Sequence, residues 1–149
     1  MIVHFICRGN TYRSILAETY LNSIELDNIK AISSGTVARD HSEANKPFAK
    51  VVRTVLKEND LATYVKDGWD QLTTERLQMG DIVIFLNNNV KKECEKLFGL
   101  PKKFVVWDIT DIDEATPMPT SEKDIYTAVQ TTLLLVESDV DDLVKNILA

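Results

Sequence analysis

The chain has 149 residues, a formal net charge of -6, 44% hydrophobic and 27% charged residues, which suits one domain over residues 1–149 with one sizeable core. That charge leaves no basic footprint for nucleic acid, and no apolar run approaches the roughly 20 residues that cross a bilayer. Cys7 and Cys94 are the only cysteines, too few for a disulfide framework or a cysteine-rich zinc site, so the expectation is a reducing cytoplasm, no metal and no cofactor.

Ile2 to Cys7 is a nearly continuous apolar run that predicts a first strand, entered from Met1 without the charged segment of an export signal. Ala17, Tyr20, Leu21 and Ile24 recur at helical spacing after Ser14, and Ile29 to Ser33 predicts a second strand. Phe48, Val51, Val52 and Val55 predict a helix opening after Pro47. Gln71 to Met79 and Val90 to Phe98 predict two more, closed by Gly80 and Gly99. Between them Asp81 to Leu86 reads as a third strand, and Phe104 to Trp107 as a fourth. Ser121 to Leu148 carries Ile125, Val129, Leu133, Val136, Val140, Leu143 and Ile147 at spacings of three and four, a long amphipathic helix. Strands apolar on both faces that alternate with helices predict an α/β fold: a three-layer doubly wound sheet of four parallel strands with helices on both faces. A ligand would then bind beyond the carboxyl ends of the strands.

The chemistry concentrates where the first strand meets the first helix, in Cys7-Arg8-Gly9-Asn10-Thr11-Tyr12-Arg13-Ser14, a Cys-x5-Arg-Ser segment. A short loop between a strand and a helix can aim successive backbone N–H groups at one anion, and the helix start adds its partial positive charge. Gly9 permits the close turn and Asn10 can brace it. Cys7, at the focus of that field, is the candidate nucleophile as a thiolate. Arg13 offers a planar fork to two oxyanion oxygens, and Ser14 can hydrogen-bond the sulfur. Arg8, Thr11 and Tyr12 complete the candidate substrate-binding loop, Arg8 as a positive rim.

These residues resemble the signature of the low-molecular-weight protein tyrosine phosphatases, a strand, Cys-x-Gly-Asn-x-Cys-Arg-Ser-Pro and a helix. Ser33-Ser34-Gly35-Thr36 is similar to the family's Ser-Ala-Gly-Thr, Asn45-Lys46-Pro47 to its Asn-x-Pro, and Asp81-Ile82-Val83-Ile84 to its third strand. The resemblance implies a phosphomonoester hydrolase, a phosphotyrosine protein phosphatase working through a cysteinyl-phosphate intermediate on a phosphorylated protein or a small phosphomonoester. It implies a general acid on the loop after the fourth strand. Trp107-Asp108-Ile109-Thr110-Asp111 is similar to the Trp-Asp-Ile-Pro-Asp-Pro of some members, which favours Asp111 as the acid over Asp113, with Asp108 structural. Ile15 and Ile112 replace two of the family's prolines, Tyr12 its second cysteine, and Glu114, Ala115 and Thr116 the tyrosines that line its substrate slot.

Cys94 falls on a helical stripe with Val90, Leu97 and Phe98 and reads as core, as does His4. His41 is a candidate for the pocket border, with Phe48 and Trp69 for an aromatic wall. The nearest rival is a thiol-dependent arsenate reductase of the same fold; its thioredoxin-coupled form needs two further cysteines after the third strand, where Asn87-Asn88-Asn89 precede a lone Cys94, which leaves a form completed by a low-molecular-weight thiol. Other rivals are a phosphocysteine carrier domain, which would lack Arg13, and a noncatalytic phosphate-binding module.

Overall fold

The computed structural model describes residues 1–148, with side-chain exposure given through Asn146. Four parallel strands, β1 (Ile2–Cys7), β2 (Lys30–Gly35), β3 (Ile82–Phe85) and β4 (Phe104–Val106), lie in the order β2-β1-β3-β4. The helices are α1 (Arg13–Ser23), α2 (Ala38–Glu58), α3 (Thr74–Met79), α4 (Asn88–Phe98) and α5 (Glu122–Leu143), the last running into a wider turn over Val144–Leu148.

Alternation along β1 divides the core. Val3, Phe5 and Cys7 point into an apolar cluster with Leu16 of α1, Val55 of α2, and Val129, Leu133 and Val136 of α5. Ile6 points the other way, with Val83 and Phe85 of β3, to meet Leu77 of α3 and Val90 and Cys94 of α4. Because side chains alternate along a strand, this one apolar run feeds two layers, and both faces of the sheet are covered. The chain leaves β1 toward β2 and returns toward β3, so the crevice at the reversal opens above the carboxyl end of β1, beside Cys7.

The predicted α/β architecture and all four strands are present, and the differences lie at helix starts. α2 begins at Ala38, two turns before Pro47, which therefore sits inside the helix. α3 begins at Thr74 instead of Gln71, because the Thr73 side chain caps it by accepting from Arg76 N at 3.1 Å, while Gln71 bridges to Gly35. Asn87 caps α4 in the same way, accepting from Val90 N at 3.0 Å. Of the predicted α5 stripe, Val129, Leu133, Val136, Val140 and Leu143 are buried, and Ile147 lies outside the residues whose side chains are described.

Candidate active site

The loop from Cys7 to Arg13 is shaped by β2 as much as by its own sequence. The carbonyl oxygens of Cys7 and Arg8 accept from Thr36 N and Val37 N, both at 3.0 Å, which turns the loop carbonyls outward. Gly35 presses against the inner turn: a Cβ there would lie 2.9 Å from Asn10 N and closer still to the Arg8 oxygen. A Cβ on Gly9 would likewise stand 2.6 Å from the Asn45 side chain. At Gly35 the obstacles are backbone, so only glycine fits, whereas at Gly9 a Cβ would displace the Asn45 amide from the cup.

Asn10 is the hub. Its φ of 53° lies in the left-handed region that asparagine tolerates, and its side chain is fully buried. Its Nδ2 donates to Ser14 Oγ at 2.8 Å and Ser33 Oγ at 2.9 Å, while its Oδ1 accepts from Asp70 N at 2.8 Å. Ser14 Oγ, which accepts from Asn10, lies 2.8 Å from the Cys7 sulfur, where its hydroxyl can donate to a thiolate, and Asn10 N donates to that sulfur at 3.3 Å. Behind the hub, Ser33 Oγ donates to Glu18 Oε1 at 3.2 Å, and Lys66 Nζ lies 3.8 Å from the same oxygen. Burial raises the Glu18 carboxyl, with Lys66 pulling it down.

Arg13 is 1% exposed, spent between Ile109 O at 2.8 Å and Asp111 Oδ2 at 3.1 Å. Two of the five N–H donors of its guanidinium are used there, and three remain for an anion. Asp111 is held from both sides: its Oδ1 accepts from Ile112 N at 2.8 Å, and its own N donates to Glu114 Oε1 at 2.9 Å. Glu114 is fixed in turn by Asn87 Nδ2 at 2.9 Å and Asn89 Nδ2 at 2.7 Å. Burial pushes the Asp111 carboxyl above the ordinary carboxylate range although Arg13 pulls it the other way, because desolvation of this 17% exposed side chain outweighs the attraction. An acid in that setting keeps its proton to higher pH than a solvated aspartate.

Cys7, Arg8, Gly9, Thr11, Arg13, Asp111 and Asp113 enclose a cup of about 130 Å³. Of the sequence-predicted residues, Asn10 and Ser14 sit behind the sulfur and do not line the cup, and Tyr12 lines it in an unexpected orientation. Tyr12 contributes to the cup wall, but its ring stacks edge-on to Phe48 at 5.0 Å and its hydroxyl is bonded to Thr132 of α5. Its phenol is pushed up to about 12 by burial. Arg8 reaches Glu93 at 3.3 Å and Asp113 at 4.0 Å, tying the loop to α4 and to the acidic turn.

His41 and Phe48 border the cup together with Asn45. Positions 41, 45 and 48 share one helix face, so the first turns of α2, from before Pro47 to just past it, are the ones that reach the site. Trp69 lies outside the cup, in the neighbouring groove. Sequence reasoning missed Glu114, Asn87 and Gly35 as shaping residues, for which the available signals were a capping pattern, a cap asparagine and a glycine closing a strand. His4, buried and lowered to about 3 mainly by desolvation, stays neutral beside Ser34. Cys94 is fully buried and its thiol is pushed up to about 11. Among the described residues no three His, Cys, Asp or Glu side chains are grouped to hold a metal.

Residues 2–147 match the family model described as low molecular weight phosphotyrosine protein phosphatase. No curated protein sequence matches the chain. Among solved structures, a low molecular weight protein tyrosine phosphatase from T. tengcongensis aligns with a TM-score of 0.73 at 20% identity, covering 99% of each chain. Wzb of Vibrio vulnificus in complex with benzylphosphonate aligns at 0.71 and 20%, over 95% of this chain and 98% of that one. A YwlE arginine phosphatase mutant with a phosphorylated active-site serine aligns at 0.68 and 22%, over 99% and 98%. At these identities the three structures establish a shared fold.

Proposed function

The chain belongs to the low molecular weight phosphotyrosine protein phosphatase family, and from that premise we propose that Cys7, Arg13 and Asp111 carry its phosphatase reaction. The Cys7 thiolate attacks phosphorus, forming the S–P bond as the ester O–P bond breaks, and the Asp111 proton passes to the departing oxygen. The loop amides and Arg13 hold the equatorial oxygens, while Ser14 stabilises the sulfur when it leaves. A water then attacks the phosphocysteine, gives its proton to the Asp111 carboxylate, and releases phosphate and the thiolate.

The observation that carries this reading is the convergence on one cup of about 130 Å³ of Cys7, whose sulfur accepts from the Asn10 amide, and the buried Arg13–Asp111 pair. The test is turnover of para-nitrophenyl phosphate without added metal. The expectation is turnover by the wild type, none by Cys7→Ser, and a trapped phosphocysteine in the wild type at acid pH. A Cys7→Ser variant as fast as wild type would remove the nucleophile assignment.

A specific feature favours a second reading of the leaving group. The turn after Asp111 offers no tyrosine, and Asp113, 56% exposed at the cup mouth, presents a carboxylate. Phe48 supplies an aromatic wall for a phenyl ring, whereas Asp113 would pair with a guanidinium, the group that the structurally similar YwlE arginine phosphatases are named for. Comparing phosphotyrosine and phosphoarginine peptides, with Asp113→Asn as the variant, separates the two: loss confined to phosphoarginine turnover supports the second. The reading also places the enzyme in the cytoplasm, supported by two free thiols. No described helix is long and apolar enough to cross a membrane.

A further inference from the structure

A groove of about 700 Å³ lies beside the catalytic cup, between α2 and the turn at Gly68 and Trp69, and Thr11 lines both. Its floor is apolar, with Ile15, Ala49 and Val52, and Trp69 stands 37% exposed at its edge. Its wall is cationic. Lys46, Lys50, Arg53 and Lys57 all line it, spaced by four, three and four residues, which places them in one stripe along α2.

The stripe begins next to Asn45, a cup residue, and runs away from the sulfur for about 16 Å at helical rise. That length matches about five residues of extended polypeptide. Lys46 is paired with Glu43 at 2.9 Å, and Arg53 donates to Lys66 O at 2.9 Å. Lys50 and Lys57 are exposed and form no ion pair among the described residues. Asp67 is the sole carboxylate in the lining.

A chain of net charge -6 repels acidic polypeptides over most of its surface. Placing four cations along a concavity that adjoins the catalytic cup reverses that field locally. A compact anion would use cations that converge on a point, whereas these are strung out. We propose that the groove binds the acidic, extended segment flanking the phosphorylated side chain of a protein substrate, with its carboxylates on Lys50 and Lys57 and its backbone across Trp69. The proposal rests on the phosphatase reading and adds its selectivity for substrate sequence.

The test uses paired phosphopeptides, one with Asp and Glu on both sides of the modified residue and one with Asn and Gln in their place. For the wild type kcat/KM is expected to be about tenfold higher for the acidic peptide, a ratio that falls toward one in 0.5 M salt and in Lys50→Gln/Lys57→Gln. In parallel, fluorescence anisotropy measures binding of the unphosphorylated acidic peptide, which probes the groove whether or not turnover occurs. Turnover of para-nitrophenyl phosphate by the wild type tests the phosphatase reading separately. Equal kcat/KM for the two peptides with no measurable anisotropy change would overturn the proposal. So would an acidic preference that survives the double substitution in a protein of unchanged circular dichroism, or a single-stranded oligonucleotide that binds as tightly as the acidic peptide.

Discussion

Replacing Gly35 by alanine tests whether β2 shapes the catalytic loop. The added Cβ would stand 2.9 Å from Asn10 N and would overlap the Arg8 carbonyl oxygen more severely still, both backbone atoms with no rotamer to escape into. Ordinary carbon contacts begin near 3.5 Å, so the loop has to move by roughly half an ångström or more. Overpacking of this kind costs about 1–3 kcal/mol, or about 2–12 °C in Tm for a chain of this size. The kinetic loss should be larger than the stability loss suggests, since a displacement of ~1 Å at a reacting centre can cost about 100-fold. The assay is kcat/KM on para-nitrophenyl phosphate beside a thermal melt, with Gly99→Ala as the comparison. Gly99 has open space around its Cβ but a φ of 88° and ψ of -170° that are essentially confined to glycine, so that substitution strains the backbone by about 1–3 kcal/mol away from the site and should lower Tm while leaving the rate intact. If Gly35→Ala melts normally and keeps wild-type kcat/KM, the claim that this close approach positions the loop is wrong.

Asp111→Asn should lower kcat by about 10²–10⁴. Because burial raises the Asp111 carboxyl, the acid is present at low pH and lost as pH rises through its value, so the substitution should abolish the alkaline fall of the wild-type profile. A profile unchanged by Asp111→Asn and flattened by Asp113→Asn would move the acid. Asn10→Ala removes three side-chain hydrogen bonds, a loss of about 3 kcal/mol read as a lower denaturation midpoint; an unchanged midpoint would show that the hub adds nothing to stability. With Cys94 buried and its thiol raised to about 11, iodoacetamide at neutral pH should label Cys7 alone in the native protein, which peptide mass spectrometry checks; early labelling of Cys94 would contradict its burial.

Local patterns carried the reading of the sequence where chemistry and periodicity coincide. The run Ile2 to Cys7, the Cys-x5-Arg loop and the start of α1 form one contiguous stretch, and the α5 stripe is long enough for its spacing to be unambiguous. Pro47 misled because a proline ordinarily opens a helix, whereas here α2 continues through it from Ala38. The misplaced start hid the shared face of His41, Asn45 and Phe48. Contacts between distant segments were invisible for a different reason. Nothing local to Gly35 announces the Arg8 backbone, and nothing local to Glu114 announces Asn87 and Asn89, since these meetings are made by tertiary packing.

Tyr12 has a consequence for the lifetime of the enzyme under oxidative stress. Peroxide is small enough to enter a cup of about 130 Å³, and the residue lining it includes one thiol, Cys7. A sulfenic acid formed there has no neighbouring sulfur with which to condense, because the adjoining position is filled by a phenol bonded to Thr132. Unless a diffusible thiol or a backbone nitrogen captures it, the next step is the sulfinic acid, which thiol reductants do not reverse. Oxidation that outruns such capture would act on this enzyme as a permanent loss of molecules, restored by synthesis.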